Sequence, residues 1–136
     1  MNIYNIKSDI KVLCITADSF PEGIGASHQK LHSLLPKTNG RNFFGISRPN
    51  RDGVIIYKAA VEESYTGEAE KYGCETFVIK KGNYISETLV DWRKDEAIVG
   101  MTFQKLLRDP RIDKNGYCLE IYSGETEMMC LVGIGN

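Results

Sequence analysis

Two copies of a strand–helix–strand–strand (βαββ) unit predict an α+β protein: a largely antiparallel, curved sheet with two helices on one face and a groove. Three observations carry this. Apolar residues at helical spacing occur once in each half, and each run is stopped by a proline, Pro36 and Pro110. An Asn-Gly pair follows each helix, at 39–40 and 115–116. An aromatic, β-forming pair of strands follows each turn.

The first unit spans about 10–64. Val12, Leu13, Cys14 and Ile15 make a buried strand within Lys11–Ala17. Ser19-Phe20-Pro21-Glu22 has the Ser-to-Glu spacing of a capping box and opens a helix whose stripe is Ile24, His28, Leu31 and Leu35. Asn42–Ser47 and Val54–Glu63 then form a hairpin about Pro49–Gly53. The polar stretch Ser64–Gly73 is a loop or a short helix. The second unit spans about 74–135. Glu75–Lys80 is a strand, Lys81-Gly82-Asn83 a turn or bulge, and Tyr84–Val90 continues extended. Asp95 caps the second helix, whose stripe is Val99, Phe103 and Leu106. Tyr117–Ser123 and Glu127–Ile134 close the chain as a hairpin about Gly124-Glu125.

The 136 residues fit one domain, and 42% apolar with 26% charged residues excludes disorder. Seventeen basic against eighteen acidic residues, the basic ones scattered, leaves no footprint for nucleic acid. The stretch Met1–Ile10 lacks the apolar run of a leader, and no segment approaches the ~18 apolar residues of a membrane span. None of the four cysteines, at 14, 74, 118 and 130, forms a Cys-x-x-Cys pair, so a cytoplasmic protein without metal or cofactor is expected. His28 and His32 have ligand spacing but no third partner, Gly23-Ile24-Gly25 lacks the lysine of a phosphate loop, and no Gly-x-Ser-x-Gly is present.

The segment Tyr117-Cys118-Leu119-Glu120-Ile121-Tyr122 places a carboxylate inside an apolar strand. Strand alternation puts Cys118, Glu120 and Tyr122 on one side and Leu119 and Ile121 on the other. With Leu119 and Ile121 under the helices, Glu120 and Tyr122 face the open side; alternatively Glu120 is a solvated position on an amphipathic strand. Overlaying the units sets Phe44-Gly45-Ile46 on Leu119-Glu120-Ile121, so Gly45 stands across from Glu120 and leaves space there. Tyr57, Tyr84, Trp92 and Phe44 supply rings, and rings around an acid suit a flat cation; for each, core packing is the competing role.

The chain resembles the GyrI-like effector-binding domains, also found as the drug-sensing halves of MerR- and AraC-type regulators. The resemblance runs from the Val12 strand to Ile134. It rests on Ser-Phe-Pro-Glu at 19–22, Phe44-Gly45-Ile46-Ser47, Tyr57-Lys58-Ala59-Ala60-Val61-Glu62, Ile79-Lys80-Lys81-Gly82-Asn83-Tyr84 and Leu119-Glu120-Ile121-Tyr122. It implies paired βαββ units around a ligand groove, with Glu120 as the groove acid that meets cationic aromatic ligands. The expected function is binding or sensing of a small lipophilic organic cation by Glu120, Tyr57, Trp92, Tyr122, Phe44, Gly45 and Tyr84. The expected protein acts as a monomer or homodimer, contacts neither nucleic acid nor membrane, and lacks its own DNA-binding domain. Two other functions follow from the family: hydrolysis of cyclopropane-bearing or other reactive aromatic compounds, with Glu120 as general acid or base, and inhibition of a protein partner through the acidic run at Glu62-Glu63 and Glu68–Glu70.

Overall fold

A computed structural model describes residues 1–36 and 40–135. Among these residues, eight strands form one antiparallel sheet: β1 (Asn2–Ile6), β2 (Ile10–Thr16), β3 (Phe43–Pro49), β4 (Ile55–Glu62), β5 (Glu75–Ile79), β6 (Gly82–Val90), β7 (Cys118–Tyr122) and β8 (Glu127–Gly133). Three helices accompany them: α1 (Ile24–Leu34), α2 (Glu68–Lys71) and α3 (Ala97–Leu107), with a 3-10 turn at Trp92–Lys94 before α3. The curved α+β sheet expected from the sequence is therefore present.

The strand order is β1-β6-β8-β7-β3-β4-β2-β5. Strands β2, β4 and β3 of the first half form one triplet and β6, β8 and β7 of the second form its counterpart. They join where β3 pairs with β7. The outermost strands are exchanged: β1 adds to β6 of the second half, and β5 to β2 of the first. The strand leading toward α3 is thus β6, not Glu75–Lys80, which lies at the far edge. In a flat sheet, six spacings of ~4.8 Å would put β1 roughly 29 Å from β2. The step from Ile6 to Ile10 spans at most about 14 Å, and that from Ile79 to Gly82 about 11 Å. The sheet must therefore curl until its ends meet. The Lys81 N–H donates to Asp9 Oδ1 at 2.9 Å and ties the two crossings together.

Curling gives the sheet an inner face, whose core takes residues from all eight strands: Ile6, Val12, Cys14, Phe44, Ile46, Ala60, Ile79, Tyr84, Leu119 and Leu131. Both long helices lie on the other face. Leu31 of α1 packs with Leu13, Tyr57, Ala59 and Val61, and Leu106 of α3 with Ile85, Met128, Cys130 and Val132. Each leucine is fully buried, and such burial contributes roughly 1.5–3 kcal/mol per side chain. Leu119 and Ile121 line the inner core, so it is Glu120 and Tyr122 that lie on the helix-bearing face, the reverse of the expectation.

One strand, β1, was not foreseen, and two helix-start expectations change. Strand β1 carries only one buried residue, Ile6, so the Met1–Ile10 segment shows little hydrophobic pattern. Helix α1 begins at Ile24 after a turn over 19–23, in which the Gly23 N–H bonds the Ser19 carbonyl, and no side chain caps it. Asp95 ends the 3-10 turn and does not cap α3, whose first flanking residue is Glu96. Asn39 of the Asn39-Gly40 turn lies outside the described residues; Gly40 has φ +76°, which favours glycine.

Candidate functional site

The seam between β3 and β7 lies between the two helices, on their face of the sheet. Glu120 stands at its centre, opposite Gly45 on β3 and Cys130 on β8. A Cβ added to Gly45 would collide with Glu120 Oε1 and with the hydroxyl of Tyr57. The space at Gly45 is therefore taken by the chain's own acid and phenol. Tyr57 reaches the seam from β4, Tyr122 from β7 two residues beyond Glu120, and His28 from α1.

These groups form one network. Tyr57 Oη donates to Glu120 Oε1 at 2.8 Å and Tyr122 Oη at 2.6 Å. His28 Nε2 lies 2.9 Å from Tyr57 Oη. With both phenolic protons committed to Oε1, His28 carries its proton on Nε2 and donates to Tyr57. Burial, then the nearby charges of His32 and Arg93, push His28 down to about 4, so it is neutral at pH 7. Burial raises the Glu120 carboxyl above the usual carboxylate range, against the two phenolic hydrogen bonds, which lower it. Burial and the adjacent acid raise both phenols. Burial also pushes the Cys118 thiol up to about 11, so it too stays neutral.

No lysine, arginine or histidine forms an ion pair with Glu120 among the described residues. The other buried acid among the described residues, Glu68, is treated differently. Glu68 receives the Arg41 guanidinium through two bonds, of 2.7 and 3.0 Å, and the Ser64 N–H at 2.9 Å. Glu120 is also buried, 9% exposed, but has only neutral donors. Such an acid is costly to ionise and attracts any cation that reaches it.

Rings enclose the acid. Trp92 lies 5.9 Å from Tyr122, His28 stands edge-on to Tyr122 at 5.3 Å, and Phe20 stacks over Tyr57 at 6.1 Å. Phe20 is 42% exposed and forms the outer surface of the group. The Trp92 indole N–H is buried without an acceptor.

Of the residues singled out from the sequence, Glu120, Tyr57, Tyr122, Trp92 and Gly45 come together here. Phe44 and Tyr84 lie on the inner face of the sheet. There the Tyr84 hydroxyl bonds the Lys80 carbonyl at 2.7 Å and lies 2.8 Å from the Tyr117 hydroxyl. Sequence reasoning did not place His28 or Phe20 at the site. His28 was visible only as a member of the α1 stripe and as a possible metal ligand with His32; in the fold His32 instead stacks on Phe43 at 4.3 Å. Two cavities, of about 480 and 690 Å³, lie elsewhere and Glu120 lines neither. The Glu120 group is closely packed beneath Phe20 and α1, with Tyr57 only 2% exposed.

No family model and no curated protein matches the chain. Solved structures do. The integron cassette protein VCH_CASS2 of Vibrio cholerae aligns at 11% identity over 98% of this chain and 95% of that one, with a TM-score of 0.70. SAV2435, solved with tetraphenylphosphonium bound, aligns at 13% identity over 99% and 93%, with a TM-score of 0.69. A protein of Staphylococcus aureus MU50 assigned to bacterial transcription regulation aligns at 14% identity over 99% and 97%, with a TM-score of 0.62. The chain shares the fold of these proteins.

Proposed function

We propose that this chain is a GyrI-like binding module for small lipophilic cations, held over Glu120 between α1 and α3. Residues 10–64 and 74–135 act as its two units. The observation that carries the reading is a carboxylate, buried among aromatic rings, whose partners are two phenols and no cation. A flat cation would supply the missing charge, and Tyr57, Tyr122, Trp92 and Phe20 would supply area and cation–π attraction. The tetraphenylphosphonium held by SAV2435 is a ligand of that chemistry on the same fold. Entry requires the 19–23 turn to lift Phe20 away from Tyr57. The module senses or sequesters such a cation.

Tetraphenylphosphonium is the direct probe, with triphenylphosphine oxide as its uncharged counterpart. Trp92, the single tryptophan, reports from the site. The cation raises the unfolding midpoint of wild type and changes Trp92 emission, while the neutral compound and the Glu120→Gln variant give at most a small response. At a hundred times Kd the stabilisation reaches about 2.7 kcal/mol. An equal response from Glu120→Gln, or from the oxide, would sink the proposal.

A further inference from the structure

The inner face of the curled sheet opens, at the end bounded by the β3–β4 turn and the loop before β7, into the cavity of about 690 Å³. Strand alternation makes β3 and β4 serve both faces. Gly45 and Tyr57 look toward the acid, whereas Ile46, Ile56 and Lys58 look into the mouth. Register confirms the grouping: Ile46 is opposite Lys58, and Arg48 opposite Ile56. Ile46, Ile56 and Phe77 form an apolar floor, and Arg48, Arg51, Lys58 and Lys114 stand around it, with Asn50 and Asn115 between them. Aspartate and glutamate are absent from the lining. Lys58 is held by Glu75 at 2.9 Å, and Glu75 also accepts from Thr16 Oγ1. Arg48, Arg51 and Lys114 have no carboxylate partner among the described residues.

We infer that this mouth is a second binding site, for a small aromatic or otherwise flat organic anion of the carboxylate class. The three unpaired cations converge from both halves of the chain, two from the β3–β4 hairpin and one from the loop before β7. Arginine presents a planar fork that takes a carboxylate through two parallel bonds and stacks on aromatic faces. The floor accepts the ring, with Phe77 held edge-on by Tyr117 at 5.1 Å. Mouths of curled and closed sheets, apolar with a few convergent polar groups, are common places for small ligands. The site is opposite in sign to the Glu120 site and lies on the other face of the same strands, so it stands independently of the function proposed above.

The test is calorimetric titration of the full chain with 2-naphthoate at low ionic strength, beside 2-naphthamide, which has the same ring without the charge. Wild type binds 2-naphthoate saturably at one site, and added salt weakens the binding. Affinity falls by about ten-fold or more in the Arg48→Glu, Lys114→Glu double variant and for 2-naphthamide, and it is unchanged in Glu120→Gln. Arg51→Glu alone provides a second, single-site readout in the same direction, and the unfolding midpoint of each variant verifies that it is folded. Absence of saturable binding to wild type, equal affinity of the charge-reversed variants, or loss in Glu120→Gln would overturn the assignment.

Discussion

Replacing Gly45 with alanine tests whether the acid and the phenols are packed as described. Gly45 has no positive φ, so its backbone accepts alanine without strain. The cost is steric. The new methyl meets Glu120 Oε1 and the Tyr57 hydroxyl, and comes within 2.9 Å of Tyr57 Cζ. Tyr57 is 2% exposed, with His28 and Phe20 against it, and has nowhere to retreat. Glu120 must swing instead, which breaks both of its phenolic bonds. Bonds to a charged group contribute roughly 1.5–3 kcal/mol each, so the expected loss is about 3–6 kcal/mol. For a chain of this size that lowers the melting temperature by roughly 10–20 °C. Urea unfolding measures the change through the midpoint at constant m. Tyr57→Phe removes one of the two clashing oxygens, so in that background alanine costs at least about 1 kcal/mol less. A Gly45→Ala variant within about 0.5 kcal/mol of wild type, or the same cost in both backgrounds, would refute the packing argument.

Two pH-dependent outcomes follow from the same network. Because burial raises the folded-state pKa of Glu120 above its unfolded value, the acid's share of stability is full at low pH and is lost as pH rises through the folded value. Glu120→Gln therefore unfolds at higher urea than wild type at neutral pH, and the difference shrinks toward pH 4; a constant difference across that range would contradict the assignment. His28 works with the opposite sign. Its folded value of about 4 lies below that of the unfolded chain, so its contribution is full above about pH 6.5 and falls away as pH drops toward 4. An NMR titration of its ring should show the Nε2–H tautomer and a midpoint near 4; a midpoint above 6 would break the hydrogen-bond scheme.

The hairpins were legible because alternation and turn residues are local signals. Asn50, between β3 and β4, illustrates this: its side chain accepts the N–H groups of Asp52 and Val54 within the turn. The pairing of Gly45 with Glu120 was also legible, through the likeness of the two halves. The face was not. Leu119 and Ile121 are apolar whether they pack on helices or on the inner core, and Glu120 reads the same in both cases. The inner core exists because the sheet curls, and the curl follows from two short crossings between strands far apart in the order, which no local pattern encodes. Tyr84 shows the same blindness: as a strand aromatic it resembles Tyr57, yet it serves the opposite face. His28 joins the site only because α1 lies across β4, which no local pattern encodes. Asp95 and Ser19 have the chemistry of helix caps, but the 3-10 turn and the 19–23 turn, each held by backbone bonds, occupy those positions.

The exchange of β1 and β5 has a consequence for how a lone charge arose at the centre of the molecule. Neither unit is complete without an edge contributed by the other, so a free-standing unit would satisfy its bare ladder only against a twin. In such a twinned assembly the two residues facing each other across the middle would be identical: a pair of glycines leaves a hole, and a pair of glutamates sets like charges side by side. Writing both units into one chain removes that constraint, and lets an acid on one side be accommodated by the missing side chain on the other.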